Sequence, residues 1–193
     1  GNDFIILGLG NDVTDTGNGN NRVIGDQGRI SVSTIDGSEL VTSIAPDLGG
    51  DDYVTGGTGN DVVILNQGND YAEMLGGDDL IVGDNATLIR DNVTGLHQIN
   101  AGTEPFGGND TILSGTGDDL VIGSFGDDDI QTGSGNDFAL GDLGNITFRN
   151  ATDVETLTYT EVAAGGADTM TASGTGSNIL IGQFGDDIIT GGD

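Results

Sequence analysis

Cysteine and lysine are absent from this 193-residue chain, histidine occurs once, and aromatic residues make up only 5% of it. Without cysteine no disulfide can staple the fold, and thiols carry no information about redox compartment. Four arginines face 32 aspartates and glutamates, for a formal net charge of -28. A surface of that sign is a poor partner for nucleic acid or for an anionic membrane. No apolar run approaches the ~18 residues that span a bilayer, so membrane insertion is not expected. His97 is the only imidazole, and no Gly-x-Ser-x-Gly elbow, phosphate-binding loop or zinc spacing is present. Paired carboxylates recur throughout, so none stands out as a general acid or base. The chain therefore reads as a non-enzyme, with His97 expected as an exposed residue of a hairpin strand.

High charge with few aromatics ordinarily signals disorder, yet here the acids are mostly Asp beside Gly, alternating with short runs of Val, Ile and Leu. Gly25-Asp26, Gly83-Asp84 and Gly141-Asp142 recur 58 residues apart, as do Gly49-Gly50, Gly107-Gly108 and Gly165-Gly166. Within this unit the period is nine, marked by Asp52, Asp61, Asp70 and Asp79, and again by Asp110, Asp119, Asp128 and Asp137. Asp3, Asp12 and Asn21 form a partial unit at the start, and Asp168, Asn178 and Asp187 another at the end, where one step is ten. Gly1-Asn2-Asp3 and Gly191-Gly192-Asp193 both fall inside a repeat and no signal peptide stands at Gly1. The expectation is one continuous fragment, residues 1–193, of a longer array.

Two places after each anchor stand Ile5, Thr14, Val23, Val54, Val63, Ala72, Ile81, Ile112, Val121, Ile130, Ala139, Met170, Leu180 and Ile189, of which only Thr14 is polar. A nonapeptide with a Gly-rich corner and about three extended residues suits a strand and a turn, not a helix. Two nonapeptides then make one coil, with a strand in each of two stacked sheets and one inward residue per strand.

Residues 56–64 read GGTGNDVVI, a full match to GGxGxDxUx, while residues 65–73 (LNQGNDYAE) and 123–131 (GSFGDDDIQ) are looser copies that keep the Gly before the anchor. The chain resembles the hemolysin-type, or RTX, calcium-binding repeat family. That resemblance implies an all-β, right-handed parallel β-roll with calcium ions held between neighbouring turns by the motif Asp and loop carbonyls. Carried over position by position, it makes Asp3, Asp12, Asp52, Asp61, Asp70, Asp79, Asp110, Asp119, Asp128, Asp137, Asp168 and Asp187 the metal residues. Asn21 and Asn178 depart from the pattern. Uncompensated columns of carboxylate repel, whereas calcium takes six to eight oxygens. Two columns of seven turns would offer room for about twelve ions, and ligation would supply folding free energy, leaving the ion-free chain expanded. The neighbouring acids Asp51, Asp78, Asp118, Asp127 and Asp186 are expected to be exposed or to lend a carbonyl.

Alternate nonapeptides differ beside the inward residue. One set carries Phe4 and Ile6, Val62 and Ile64, Leu80 and Val82, Leu120 and Ile122, Phe138 and Leu140, and Ile179 and Ile181; the other carries Tyr53 and Thr55, Tyr71 and Glu73, Asp129 and Gln131, and Thr169 and Thr171. One sheet should thus be apolar on both faces. Insertions at approximately 26–48, 84–106 and 142–164 leave from that sheet and read as β-hairpins: Arg29 to Ser33 with Leu40 to Ile44, Thr87 to Arg90 with Leu96 to Ile99, and Asn145 to Phe148 with Thr156 to Val162. They either cover the apolar face as a third layer or leave it for a partner or self-association. Asp26, Asp84 and Asp142 are read as edge calcium ligands or Asx-turn residues.

The family resemblance implies an extracellular module, secreted or at the cell surface. Two roles compete: a stalk or scaffold of a giant adhesin-like bacterial protein, stacked between flanking repeats and facing a surface or matrix partner, or a calcium-triggered folding and type I secretion module attached to a separate toxin or exoenzyme domain. The regular unit with its hairpins favours the stalk. An ice-binding face would need a regular Thr and Asn ladder, and Thr58-Gly59-Asn60, Gln67-Gly68-Asn69 and Phe125-Gly126-Asp127 do not supply one.

Overall fold

A three-residue strand has too few hydrogen bonds to persist alone, so each nonapeptide depends on the turns above and below it. The structure is a computed structural model describing residues 1–94, 96–102, 105–149, 153–158 and 165–192. In chain order the strands begin β1 (Phe4–Ile6), β2 (Val13–Asp15), β3 (Arg22–Ile24), β4 (Gly28–Val32), β5 (Glu39–Ser43), β6 (Tyr53–Thr55) and β7 (Val62–Ile64). They continue as β8 (Tyr71–Glu73), β9 (Leu80–Val82), β10 (Ala86–Asp91), β11 (Leu96–Ala101), β12 (Thr111–Leu113) and β13 (Leu120–Ile122). The last are β14 (Asp129–Gln131), β15 (Phe138–Leu140), β16 (Asn145–Arg149), β17 (Asp153–Thr158), β18 (Thr169–Thr171), β19 (Ile179–Ile181) and β20 (Ile188–Thr190).

Successive nonapeptides alternate between two seven-stranded parallel sheets, one ordered β1-β3-β7-β9-β13-β15-β19 and the other β2-β6-β8-β12-β14-β18-β20. This is the parallel β-roll the repeat implies. Its register aligns Ile5, Val23, Val63, Ile81, Val121, Ala139 and Leu180 in one row, and Thr14, Val54, Ala72, Ile112, Ile130, Met170 and Ile189 in the other. Because strand side chains alternate between faces, only the central residue of each strand points between the sheets. From Val23 to Met170 these residues are fully buried, while the outermost turns leave theirs partly open. The interior is thus one side chain thick, too thin to explain the fold without help from elsewhere.

Much of that help comes from a third layer. The pairs β4 and β5, β10 and β11, and β16 and β17 are antiparallel hairpins that join edge to edge as one six-stranded sheet. Val41, Ala86, Leu88, Ile99, Ala101 and Ile146 from this sheet pack onto Ile24, Val62, Ile64, Leu80, Val82, Ile122 and Leu140 of the roll, with Leu120 and Phe138 partly buried against them. The apolar outer face is covered, at least along the hairpin-bearing turns. The opposite sheet keeps its polar outer face in solvent, where the Tyr53 and Tyr71 rings stack with centroids 4.5 Å apart.

The first hairpin runs one residue earlier than its hydrophobic pattern suggests, with Glu39 inside β5. That shift buries Glu39 beneath the hairpin sheet between Arg22 of β3 and Arg90 of β10, both ion-paired to it. His97, expected in solvent, is half-buried on β11 directly across from Arg90. Burial first, then the neighbouring guanidinium, lowers its pKa. The expected strand at 156–162 is observed up to Thr158; 159–162 lie outside the described residues.

Candidate metal centres in two columns of aspartates

The corner of each nonapeptide needs backbones to lie close together from one turn to the next. At Gly108 an added Cβ would sit 1.7 Å from the Gly68 carbonyl oxygen of the adjacent turn, so no other residue fits. This close stacking aligns the anchor residues, which precede each strand, and each uses Oδ1 to accept the N–H of its equivalent one turn earlier. One column runs from Asp12 through Asp52, Asp70, Asp110, Asp128 and Asp168 to Asp187, with N···O distances of 2.6 to 3.1 Å. The other runs from Asp3 through Asn21, Asp61, Asp79, Asp119 and Asp137 to Asn178, at 2.7 to 3.1 Å. Partners alternate between 18 and 40 residues apart, or 19 and 41 across the one ten-residue step near the end, because each hairpin is a detour that returns the chain to the same column.

The second carboxylate oxygen is left over. Oδ2 of Asp52, Asp61, Asp70, Asp79, Asp110, Asp119, Asp128, Asp137 and Asp168 is buried without a hydrogen-bond partner, and these residues are only 1–2% exposed. Asp12 and Asp187, in the outermost turns, are half-buried, and Asp3 is exposed. Leaving a buried carboxylate oxygen unsatisfied is expensive. Burial accordingly raises the pKa of Asp52 to about 6, of Asp119 and Asp168 to about 7, and of Asp70, Asp79 and Asp128 to about 8, with neighbouring carboxylates adding to the effect. Asp110 is raised well above the usual range, by burial and then by Asp84, Asp128 and Asp70.

In the column of Asp110 the atoms facing these oxygens are carbonyls, whereas in the other column a Cβ on Gly56 would lie 3.0 Å from Asp61 Oδ2 and 2.4 Å from Met74 Sδ. A Cβ built on Gly83 would lie 2.2 Å from Asp110 Oδ2 and 2.4 Å from Gly123 O, and the same cradle recurs at Gly123, between Asp128 Oδ2 and Gly141 O, and at Gly141, between Asp168 Oδ2 and Gly182 O. Carboxylate and carbonyl oxygens share a small space in which Oδ2 finds no donor, a set that fits a hard divalent cation such as calcium. Among the described residues no three acidic or imidazole side chains gather at one point. An ion here would draw mainly on backbone carbonyls, with few carboxylates.

Sequence reasoning missed a second ladder. The exposed residue before each anchor also accepts through Oδ1, but in the opposite direction, from the N–H one turn later: Asn60 N to Asn20, Asp78 N to Asn60, Asp118 N to Asp78 and Asn136 N to Asp118, at 2.8 to 3.1 Å. Asp51, Asn69, Asn109 and Asp127 do the same in the other column. The signal was the free exchange of Asn and Asp at this place, since the ladder needs one side-chain oxygen and no charge. Asp84 and Asp142 do not form local Asx turns; their backbone donors come from 24 to 42 residues away. Asp84 accepts from Gly108 N at 3.2 Å and Phe125 N at 2.7 Å, and Asp142 from Gly166 N at 2.9 Å and Phe184 N at 2.5 Å. Each closes the base of its hairpin and ties it to the following turn. The equivalent Asp26 is fully buried and raised to about 7 by burial and by Asp52.

The RTX calcium-binding nonapeptide repeat matches the chain in four copies, at residues 1–29, 47–72, 106–145 and 172–193, which hold most of the strands of the roll. No curated protein and no solved structure matches it.

Proposed function

The chain belongs to the RTX calcium-binding nonapeptide repeat family, and from that premise we propose that it is a structural module of a secreted or cell-surface bacterial protein that folds on extracellular calcium and serves as a stalk or scaffold. The repeat family is a structural, calcium-binding one, in keeping with the lack of a catalytic constellation in the sequence. The observation that carries the proposal is the row of buried, partnerless Oδ2 atoms in both columns. Asp3, Asp12, Asp52, Asp61, Asp70, Asp79, Asp110, Asp119, Asp128, Asp137, Asp168 and Asp187 would hold the ions together with loop carbonyls. Bound calcium would supply the positive charge that lets these carboxylates stay ionised while buried.

Extracellular calcium modules bind at about 10⁻⁴ to 10⁻³ M, so cytosolic calcium would leave them empty and the chain could be exported before it folds. A calcium-triggered secretion module beside a toxin or exoenzyme domain would use the same sites. The continuous hairpin layer supports the stalk, because it stiffens the roll and such a secretion module has no need of it.

Asp110→Asn tests the assignment. It keeps the Oδ1 acceptor that Asp70 N requires and replaces only the partnerless oxygen. The variant is expected to carry at least one calcium fewer than the parent by native mass spectrometry and to need several-fold more calcium to fold. An unchanged ion count in Asp110→Asn, or a parent chain that binds no calcium, would remove the proposal.

A further inference from the structure

Asn21 stands in the column where neighbouring turns carry Asp, and its hydrogen bonds differ from theirs in one respect. Its Oδ1 accepts Asp3 N at 3.0 Å, as the ladder requires, and this fixes which side-chain atom is the nitrogen. Nδ2 then lies where Asp61, one turn on, has its partnerless Oδ2. From there it donates to Gly19 O at 2.9 Å, Thr16 Oγ1 at 3.2 Å and Gly17 O at 3.4 Å, all within its own turn. Gly17 O also accepts Gly57 N. In the Asp61 turn the residues at the corresponding places are Gly56, Gly57 and Gly59. The oxygens that an anchor carboxylate would share with a cation are here satisfied by an amide NH2.

The adjacent Arg22 completes the substitution. In the register of its sheet its neighbours are Phe4 and Val62, so the fold itself does not ask for a charge at that place. Its guanidinium donates to Asn21 O at 3.0 Å and Asn60 O at 3.4 Å, the carbonyls of this turn and the next. Its remaining nitrogens are held by the buried carboxylate of Glu39 in the first hairpin, which also binds Arg90. A fixed positive charge and an extra donor thus occur together at the one internal turn whose anchor is not an acid.

We propose that Asn21 and Arg22 take the place of an ion, making this turn a calcium-independent staple at the root of the first hairpin and interrupting the metal column there. The inference rests on the calcium reading of the other turns and predicts where that reading stops. An amide NH2 offers these oxygens the positive pole that a cation offers elsewhere, so within the folded roll this turn needs no ion of its own.

The test is to restore the repeat. Asn21→Asp with Arg22→Val, the residue found in the same register one turn later, is expected to bind one calcium more than the parent by native mass spectrometry, with Asn21→Asp alone binding that ion more weakly. A double variant that folds in calcium and carries the same number of ions as the parent overturns the inference. If the double variant does not fold, the parent decides: in its calcium-loaded state the side-chain NH2 of Asn21 should be protected from solvent exchange by NMR, and a freely exchanging NH2 overturns it. A parent that binds no calcium fails the functional proposal instead, so the two failures are distinguishable.

Discussion

Withdrawing calcium at neutral pH is expected to abolish the β signal of the chain in circular dichroism and to expand its radius of gyration about two- to threefold. Nine anchor aspartates bury an oxygen that no protein group satisfies, so without an ion the folded chain must either bury unsatisfied carboxylates or hold protons that the unfolded chain releases at neutral pH. The inner core cannot offset that cost, because it holds one side chain per strand, two of them only Ala72 and Ala139, with little beyond Leu65 and Met74 added from the corners. The hairpin sheet adds a second apolar cluster, but it sits on the roll and has nothing to cover once the roll opens. Stability should therefore follow calcium by mass action, with the midpoint moving as the free ion is varied. Equal β content in chelator and in millimolar calcium would contradict this.

The ion-free chain is expected to fold again on acidification, the reverse of ordinary acid denaturation. The sign follows from the direction of the shifts. Asp52 is raised to about 6, Asp119 and Asp168 to about 7, and Asp70, Asp79 and Asp128 to about 8, all above the ordinary value of 3.8. Between those values and 3.8 the folded chain holds protons that the unfolded chain has released, so the stability of the ion-free roll is greatest below 3.8 and is lost as pH rises through 6 to 8. Protonation also turns Oδ2 from an acceptor into a donor facing carbonyls such as Gly123 O beside Asp110, much as the amide of Asn21 does permanently. In saturating calcium the dependence inverts, because protons then compete with the ion for the same oxygens. Circular dichroism from pH 8 to pH 4, with chelator and with calcium, should give two curves of opposite slope. A chelated chain that stays unfolded throughout would show that proton and ion do not act at one site.

The parts of this architecture that repeat in sequence were the parts that could be read from it. A period of nine fixed on Asp52, Asp61 and their equivalents placed every inward residue from Ile5 to Ile189, because strand alternation leaves no freedom once the anchor is set. The apolar flanks at Leu80 and Phe138 pointed to a covering layer for the same reason. What escaped was whatever depends on groups meeting across turns. The clamp made by Asp84 joins residues 24 and 41 positions away, and only the alignment of a hairpin base with the next corner brings them together. The Arg22, Glu39 and Arg90 cluster spans three strands of two sheets, with no local pattern to announce it. Asn21 looked like a lost ligand, and its role emerged only from what its nitrogen touches.

A crystal structure of the chain grown in calcium measures the central claim most directly. Ions at about 2.3 to 2.6 Å from Oδ2 of Asp61, Asp70, Asp110 and Asp128, each completed by carbonyls of the stacked corners, are the expected result. Corners whose aspartates instead meet only water or protein donors, with no ion between turns, would contradict it.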